Sequence, residues 1–368
     1  MREYLLVLLI AAGVTYLVTP VVRRVAERLG AMAPVRDRDV HAIPTPRGGG
    51  VAMFIGFLAA LVVAEAMPFL TRAFEGSDER RALIAGAALI CLLGLADDRW
   101  GMDALTKFAG QVVAAGIMVT QGGLQLLWLP VPRYGLLVLD EQWGVLLTVL
   151  LIVGTVNAVN FIDGLDGLAA GIVGIASIAF FAYSYRLTVV YGFDRSQVPT
   201  LLTAVLAGTC LGFLPHNFSP ARVFMGDSGS MLIGLLLATA TVTLTGRFDP
   251  IDVNNRDLVP ALLPLLLPLA VLAVPLVDLV LAVVRRTRAG RSPFSPDKEH
   301  LHHRLLMLGH SHPRAVLIMY FWSALIAFGA VSLTIVDAPL VLLMVSAALA
   351  VAALISVNLG RLRSARRH

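Results

Sequence analysis

The chain has 368 residues, 58% of them hydrophobic and 14% charged, with a mean hydropathy of +0.81 and a formal net charge of +5. That composition excludes an ordinary soluble domain and points to a polytopic membrane protein. With two cysteines, no disulfide framework or cysteine-based zinc site is available. The basic balance matches the positive-inside bias of membrane proteins and also suits anionic lipids and phosphorylated substrates.

Runs of roughly 18 to 23 apolar residues recur along the whole length, enough to cross a hydrocarbon core about 30 Å thick as helix. Spans are expected at 4–22, 49–68, 82–96, 105–120, 143–159, 167–185, 198–215, 229–245, 258–284, 315–335 and 339–359, eleven in all. No gap between them would hold a soluble domain, so residues 1–368 read as one integral-membrane domain. The first run lacks a basic leader and a small-residue cleavage site and is expected to stay as a span. The third and fourth spans are short, and their helices should take in flanking polar residues. Between the fourth and fifth, Leu124 to Asp140 carries two prolines, a glycine and alternating apolar residues, which suit a small hairpin outside the bilayer. Cys91 and Cys210 fall inside spans as packing residues.

Arginines and lysines set the orientation. Arg23, Arg24, Arg28, Arg36, Arg38 and Arg47 follow the first span, Arg285 to Arg304 the ninth, and Arg361, Arg363, Arg366 and Arg367 form the tail. All belong on the cytoplasmic side, which puts the N-terminus outside and the C-terminus in the cytoplasm. The loops after spans three, five, seven and nine then share the cytoplasmic face, and they hold the polar motifs.

Asp97 and Asp98 close the third span. Adjacent carboxylates repel unless a cation lies close, although helix-capping aspartates are the simpler alternative. Lys107 stands about one turn into the next span and needs an anionic partner there, such as a lipid phosphate. In Asn157 to Gly167 (NAVNFIDGLDG), residues three apart share a helix face, so Asn157, Asn160 and Asp163 can point into one cavity. Gly164 and Gly167 permit a tight bend, and the next helix offers its N-terminus to an anion. In Phe224 to Ser230 (FMGDSGS), Asp227 enters a span beside glycines and serines. These oxygen donors suit Mg²⁺, and Asp or Ser also suits a helix cap. Asp297 to Arg304 (DKEHLHHR) supplies His300, His302, His303 and Arg304. The histidines lack the i, i+4 pairing of helical zinc sites, and a basic clamp for phosphate or sugar fits them better.

Together with His41 to Gly49 (HAIPTPRGG), these motifs resemble, in order and over nearly the whole chain, the polyprenyl-phosphate N-acetylhexosamine-1-phosphate transferase family. The PTPRGG element and the HLHHR loop, where Leu301 interrupts the histidines, resemble the branch that uses UDP-GlcNAc. The branch that uses UDP-MurNAc-pentapeptide, the phospho-MurNAc-pentapeptide transferases, is the alternative. The resemblance implies an all-α polytopic fold with ten or eleven transmembrane helices around a cytoplasmic active-site cleft, with a small outer hairpin. It implies a multi-pass protein of the bacterial cytoplasmic membrane that transfers GlcNAc-1-phosphate from UDP-GlcNAc to polyprenyl phosphate (undecaprenyl or decaprenyl) and releases UMP. That is the first membrane step of a cell-envelope polysaccharide. Mg²⁺ is the implied cofactor, with Mn²⁺ as a substitute; a homodimer is an implied assembly, and nucleic acid is not among the partners. Asp227 would hold the metal with Asn160 alongside, Asp166 would contact the uracil, and Asp97 and Asp98 would act near the lipid phosphate with Asp163 and Lys107. Asn157, His41, Arg47, His300, His302, His303 and Arg304 would bind substrate.

Two other classes compete. A transporter places ionisable residues near the bilayer midplane on broken helices, whereas here the acids gather at one interface. A phosphatase acting on polyprenyl diphosphate shares the lipid and Mg²⁺ but needs no nucleotide pocket, so binding of UMP or UDP-GlcNAc separates it from a transferase.

Overall fold

The structure, a computed structural model, describes residues 1–33, 44–71, 78–131, 135–190, 197–246 and 310–333, with single positions 263, 265, 266 and 287. Its long helices are α1 (Arg2–Arg28), α2 (Gly49–Glu65), α4 (Glu79–Trp100), α5 (Ala104–Thr120), α6 (Glu141–Ile162), α7 (Leu168–Val190), α8 (Gln197–Asn217), α9 (Gly226–Gly246) and α10 (His312–Ser332). A single turn, α3 (Pro68–Thr71), follows α2. Helices therefore stand over the first eight predicted spans and, shifted by three residues, over 315–335. The spans at 258–284 and 339–359 lie outside the described residues, apart from positions 263, 265 and 266. Among the described residues, six helices, α1, α6, α7, α8, α9 and α10, are long and apolar enough to cross a membrane.

As the short third span implied, α4 extends through Asp97 and Asp98 to Trp100. It stops at Gly101, whose φ of 69° is left-handed. Helix α5 starts at once because Asp103 caps it, accepting from the Leu105 and Thr106 amides at 3.0 Å each. The turn between α4 and α5 is thus only a few residues long, and it sets Asp97 beside the first turns of α5.

Leu124 to Asp140 forms the expected hairpin: β3 (Trp128–Val131) pairs antiparallel with β4 (Gly135–Val138), Trp128 opposite Val138. Trp128 is buried, and Leu126 N–H donates to Thr148 Oγ1 of α6 at 2.9 Å. The hairpin joins the C-terminal end of α5 to the N-terminal end of α6, so it lies at the opposite end of the bundle from Asp97. A second short pair, β1 (Met32–Ala33) with β2 (Thr45–Pro46), returns the chain after α1.

Helix α9 is the axis of the fold. It packs against α2, α4, α6, α7 and α8, and Ser228 through Thr245 are all buried. A helix so enclosed needs small residues where backbones meet, as is usual between helices in lipid, where apolar burial alone does not favour association. At Gly50 of α2, an added Cβ would lie 2.2 Å from the backbone nitrogen of Gly229. The two helices touch backbone to backbone at this point. Around the axis, α1 packs on α8 and α2, α5 on α4 and α6, and α10 on α7. Both cysteines are buried and free.

Gly50→Ala must push α2 away from α9 and is expected to cost about 1–3 kcal/mol, seen as a lower thermal midpoint in detergent. Gly116→Ala, where a Cβ meets nothing within 4 Å, should stay within about 1 kcal/mol of the parent. Equal midpoints for the two variants would contradict this packing.

Candidate active site

Four helices deliver polar side chains to one end of the bundle. The C-terminal ends of α4 and α6 and the N-terminal ends of α5 and α9 meet there, and none carries a full set of charges alone. Lys107 of α5 is the hub: its Nζ donates to Asp97 Oδ2 at 3.0 Å and to Asn160 Oδ1 at 3.4 Å, and it also pairs with Asp227 Oδ2. Asn160 Nδ2 in turn donates to Asp227 Oδ1 at 3.1 Å and to Ser230 Oγ at 2.9 Å. Asp97, Lys107 and Asp227 keep 15%, 17% and 29% of their side-chain surface exposed, so the cluster is enclosed yet open to solvent on one side.

The start of α9 is held from two directions. On one side the segment before α2 runs alongside it: Phe224 N–H donates to Pro46 O at 2.8 Å, Gly49 N–H to Phe224 O at 3.0 Å and Gly50 N–H to Met225 O at 3.1 Å. The PTPRGG and FMGDSGS motifs are therefore joined by their backbones. On the other side Asp98 accepts from Asp227 N–H at 3.1 Å, Ser228 N–H at 3.2 Å and Ser228 Oγ at 3.1 Å. Arg47 reaches the same carboxylate at 3.8 Å. Gly226 permits this approach, because its φ is 71° and a Cβ there would lie 2.3 Å from Asp98 Oδ2.

One turn deeper, Asn157 Nδ2 donates to Gln111 Oε1 at 2.6 Å and to Val153 O at 2.8 Å. This amide pair forms a polar floor under Lys107 and Asn160. Asp163 caps the C-terminal end of α6, where its N–H donates to Asn160 O at 3.3 Å. Its carboxyl is pushed up to about 8, first by burial and then by the negative charges of Asp227 and Asp98, with Arg47 opposing. Asp163 thus stands at the edge of the cluster, three residues beyond Asn160 and bonded to it through the backbone.

The loop beyond is tied down separately. Asp166, buried, accepts from Ala221 N–H at 3.0 Å. Gly167 N–H donates to Asn217 Oδ1 at 3.0 Å, and its carbonyl accepts from the Tyr320 hydroxyl of α10. Of the two glycines expected to bend this loop, Gly167 is left-handed at φ 77° and Gly164 is not.

The structure thus brings Asp97, Asp98, Lys107, Asn160 and Asp227 into direct contact, with Arg47 on Asp98 and Asn157 beneath. Asp163 and Asp166 lie in the adjoining loop. His41, His300, His302, His303 and Arg304 lie outside the described residues. Sequence reasoning did not single out Gln111, Asn217 or Tyr320. Gln111 had a signal, since it follows Lys107 by four residues on the same helix face.

Among the described residues, no three His, Cys, Asp or Glu side chains are gathered as a ready cage for a metal ion. The oxygens of Asp97, Asp227 and Asn160 nonetheless converge on one cation, the Lys107 ammonium. This donor set fits a hard divalent ion that takes one or two carboxylates from the protein and its other ligands from water and phosphate.

The model of glycosyl transferase family 4 matches residues 81–245, the segment that holds most of this cluster. A Mycobacterium tuberculosis protein named decaprenyl-phosphate N-acetylglucosaminephosphotransferase is 52% identical, over 90% of this chain and 83% of its own length. A Desulforudis audaxviator phospho-N-acetylmuramoyl-pentapeptide-transferase is 32% identical, over 86% of this chain and 94% of its own. A Yersinia pestis undecaprenyl-phosphate alpha-N-acetylglucosaminyl 1-phosphate transferase is 27% identical, over 83% and 78%. With its motifs in order and this likeness over nine-tenths of its length, the chain belongs to the polyprenyl-phosphate N-acetylhexosamine-1-phosphate transferases of glycosyl transferase family 4.

Proposed function

We propose that the protein transfers GlcNAc-1-phosphate from UDP-GlcNAc to a polyprenyl phosphate, giving polyprenyl-diphospho-GlcNAc and UMP. One observation carries the reading: two acids, a lysine and an asparagine from four helix ends share a single point, on a chain half identical to a named decaprenyl-phosphate N-acetylglucosaminephosphotransferase. The mycobacterial relative supports GlcNAc over MurNAc-pentapeptide, because the relative named for the latter is much less similar. The protein crosses the bacterial cytoplasmic membrane in eleven spans with this cluster at the cytoplasmic face, where the sugar nucleotide is dissolved; the arginine bias of the loops supports that orientation.

In the transfer, a non-bridging oxygen of the lipid phosphate forms a bond to the phosphorus that bears GlcNAc. The bond from that phosphorus to the bridging oxygen breaks, and UMP leaves with the electron pair. A phosphate monoester loses its second proton at about pH 6, so near neutrality the nucleophile is mostly ready. The main task of the protein is to bring two anions together and hold them in line. Lys107 supplies a positive charge at the meeting point, and Asp97 orients it. Asp227 and Asn160 would hold a Mg²⁺, which when bound offsets the repulsion between phosphates and stabilises charge on the leaving UMP. Asp166 and its loop face the nucleotide, Arg47 stands beside Asp98, and His41, His300, His302, His303 and Arg304 bind the sugar and diphosphate.

Purified protein in detergent with decaprenyl phosphate and Mg²⁺ should release UMP from UDP-GlcNAc and not from UDP-MurNAc-pentapeptide. Asp227→Ala should reduce that turnover by at least about a hundredfold. Near-normal turnover in this variant would remove Asp227 from the centre, and a burst of UMP without lipid would replace direct attack by a covalent route.

Asp163 gives a pH test. Between the usual carboxylate range and about 8, the folded chain keeps a proton on Asp163 that the unfolded chain has lost, so stability falls as pH rises through that window. Without divalent cations, Asp163→Asn should therefore gain in thermal midpoint over the parent as pH goes from 5 to 8. A gap that stays constant, or reverses, would contradict the enclosed position of this carboxyl.

A further inference from the structure

We propose that Asp98 is a positioning residue, which fixes the first turn of α9 and through it the Asp227 carboxylate, and that it does not take a proton from the lipid phosphate. The inference rests on the transferase reading of the cluster.

A general base needs a lone pair free to meet its substrate. A carboxylate offers about four acceptor positions, and three of those of Asp98 are taken by Asp227 N–H, Ser228 N–H and Ser228 Oγ, with the Arg47 guanidinium beside them as an ion pair at 3.8 Å. Its side chain is 5% exposed, against 15% for the neighbouring Asp97. The two adjacent acids therefore face different ways. Asp97 turns to Lys107 and to the Met102 N–H just past the end of its own helix, while Asp98 turns into the seam between α4 and α9.

The seam is built for that contact. Gly94 lies one turn before Asp98 on the same face of α4, and a Cβ there would sit 2.4 Å from the Ser228 backbone nitrogen. The helices thus touch through their backbones just where Asp98 reaches across. The first N–H groups of α9 have no partners within their own helix. An acid from a different helix satisfies two of them, and its charge is favourable at the positive end of the helix. Asp227 belongs to this first turn, so the bond to its N–H sets where its carboxylate stands.

The test is steady-state kinetics of Asp98→Asn, Ser228→Ala and the double variant from pH 5.5 to 8.5, with Mn²⁺ affinity measured in parallel. Positioning predicts that Asp98→Asn lowers kcat by roughly tenfold at every pH and weakens Mn²⁺ binding. It also predicts that Ser228→Ala lowers kcat by a few-fold and that the double variant loses less than the product of the two single losses. A base predicts a loss confined to low pH, recovering once the lipid phosphate is dianionic, with Ser228→Ala at parental turnover; that pattern overturns the proposal. If Asp98→Asn does not fold, Ser228→Ala alone decides, because only positioning makes it slow. Parental protein that releases no UMP from UDP-GlcNAc would sink the transferase reading itself, which none of the variant patterns can do.

Discussion

The whole arrangement depends on one electrostatic constraint: Lys107 must meet Asp97 and Asp227 where three helices end. Each of these side chains is more than two-thirds buried, and an unpaired charge so enclosed costs several kcal/mol. No single helix can relieve that cost. Lys107 comes from α5, Asp97 from α4 and Asp227 from α9, with Asn160 of α6 bonded to two of the three. The four ends are therefore fixed relative to one another, and the same grouping that neutralises the charges leaves a polar, partly open site at the end of an apolar bundle.

Backbone contact makes the grouping reachable. Helix α9 carries small residues where α2 and α4 cross it, and the segment around Gly49 and Gly50 is hydrogen-bonded to Phe224 and Met225. Bulkier residues would hold the helices apart by a side-chain diameter and leave Asp98 short of the Asp227 and Ser228 amides. Packing and catalysis are linked here, since the glycines that close the core also set how far the carboxylates stand from Lys107. Below the site, the Gln111 and Asn157 pair ties α5 to α6 one turn deeper and keeps both helices in register.

Much of this was legible in the sequence. Long apolar runs placed the helices, prolines and alternation marked the Trp128 hairpin, and the acids and asparagines of three motifs named the cluster before any geometry. Other features could not be read in advance. Asp97 and Asp98 look equivalent as neighbouring letters, and only the approach of α9 gives them different partners. Gln111 and Asn217 are common polar residues whose roles come from what lies opposite them in the fold. Tyr320 lies more than 150 residues from the Gly167 carbonyl it binds, so no local pattern could pair them. Asn157 donates to Gln111 and Val153, and the first of these partners lies on another helix, where no local pattern names it.

The central claim is that these helix ends seat a divalent ion between two phosphates, at the point where Lys107 now meets the carboxylates. Anomalous diffraction from crystals grown with Mn²⁺ and UDP-GlcNAc tests it most directly. The account predicts one peak within about 2.5 Å of an Asp227 oxygen, with Lys107 no longer bridging Asp97 and Asp227. A peak remote from Asp227, with Lys107 still bridging the two carboxylates, would contradict it.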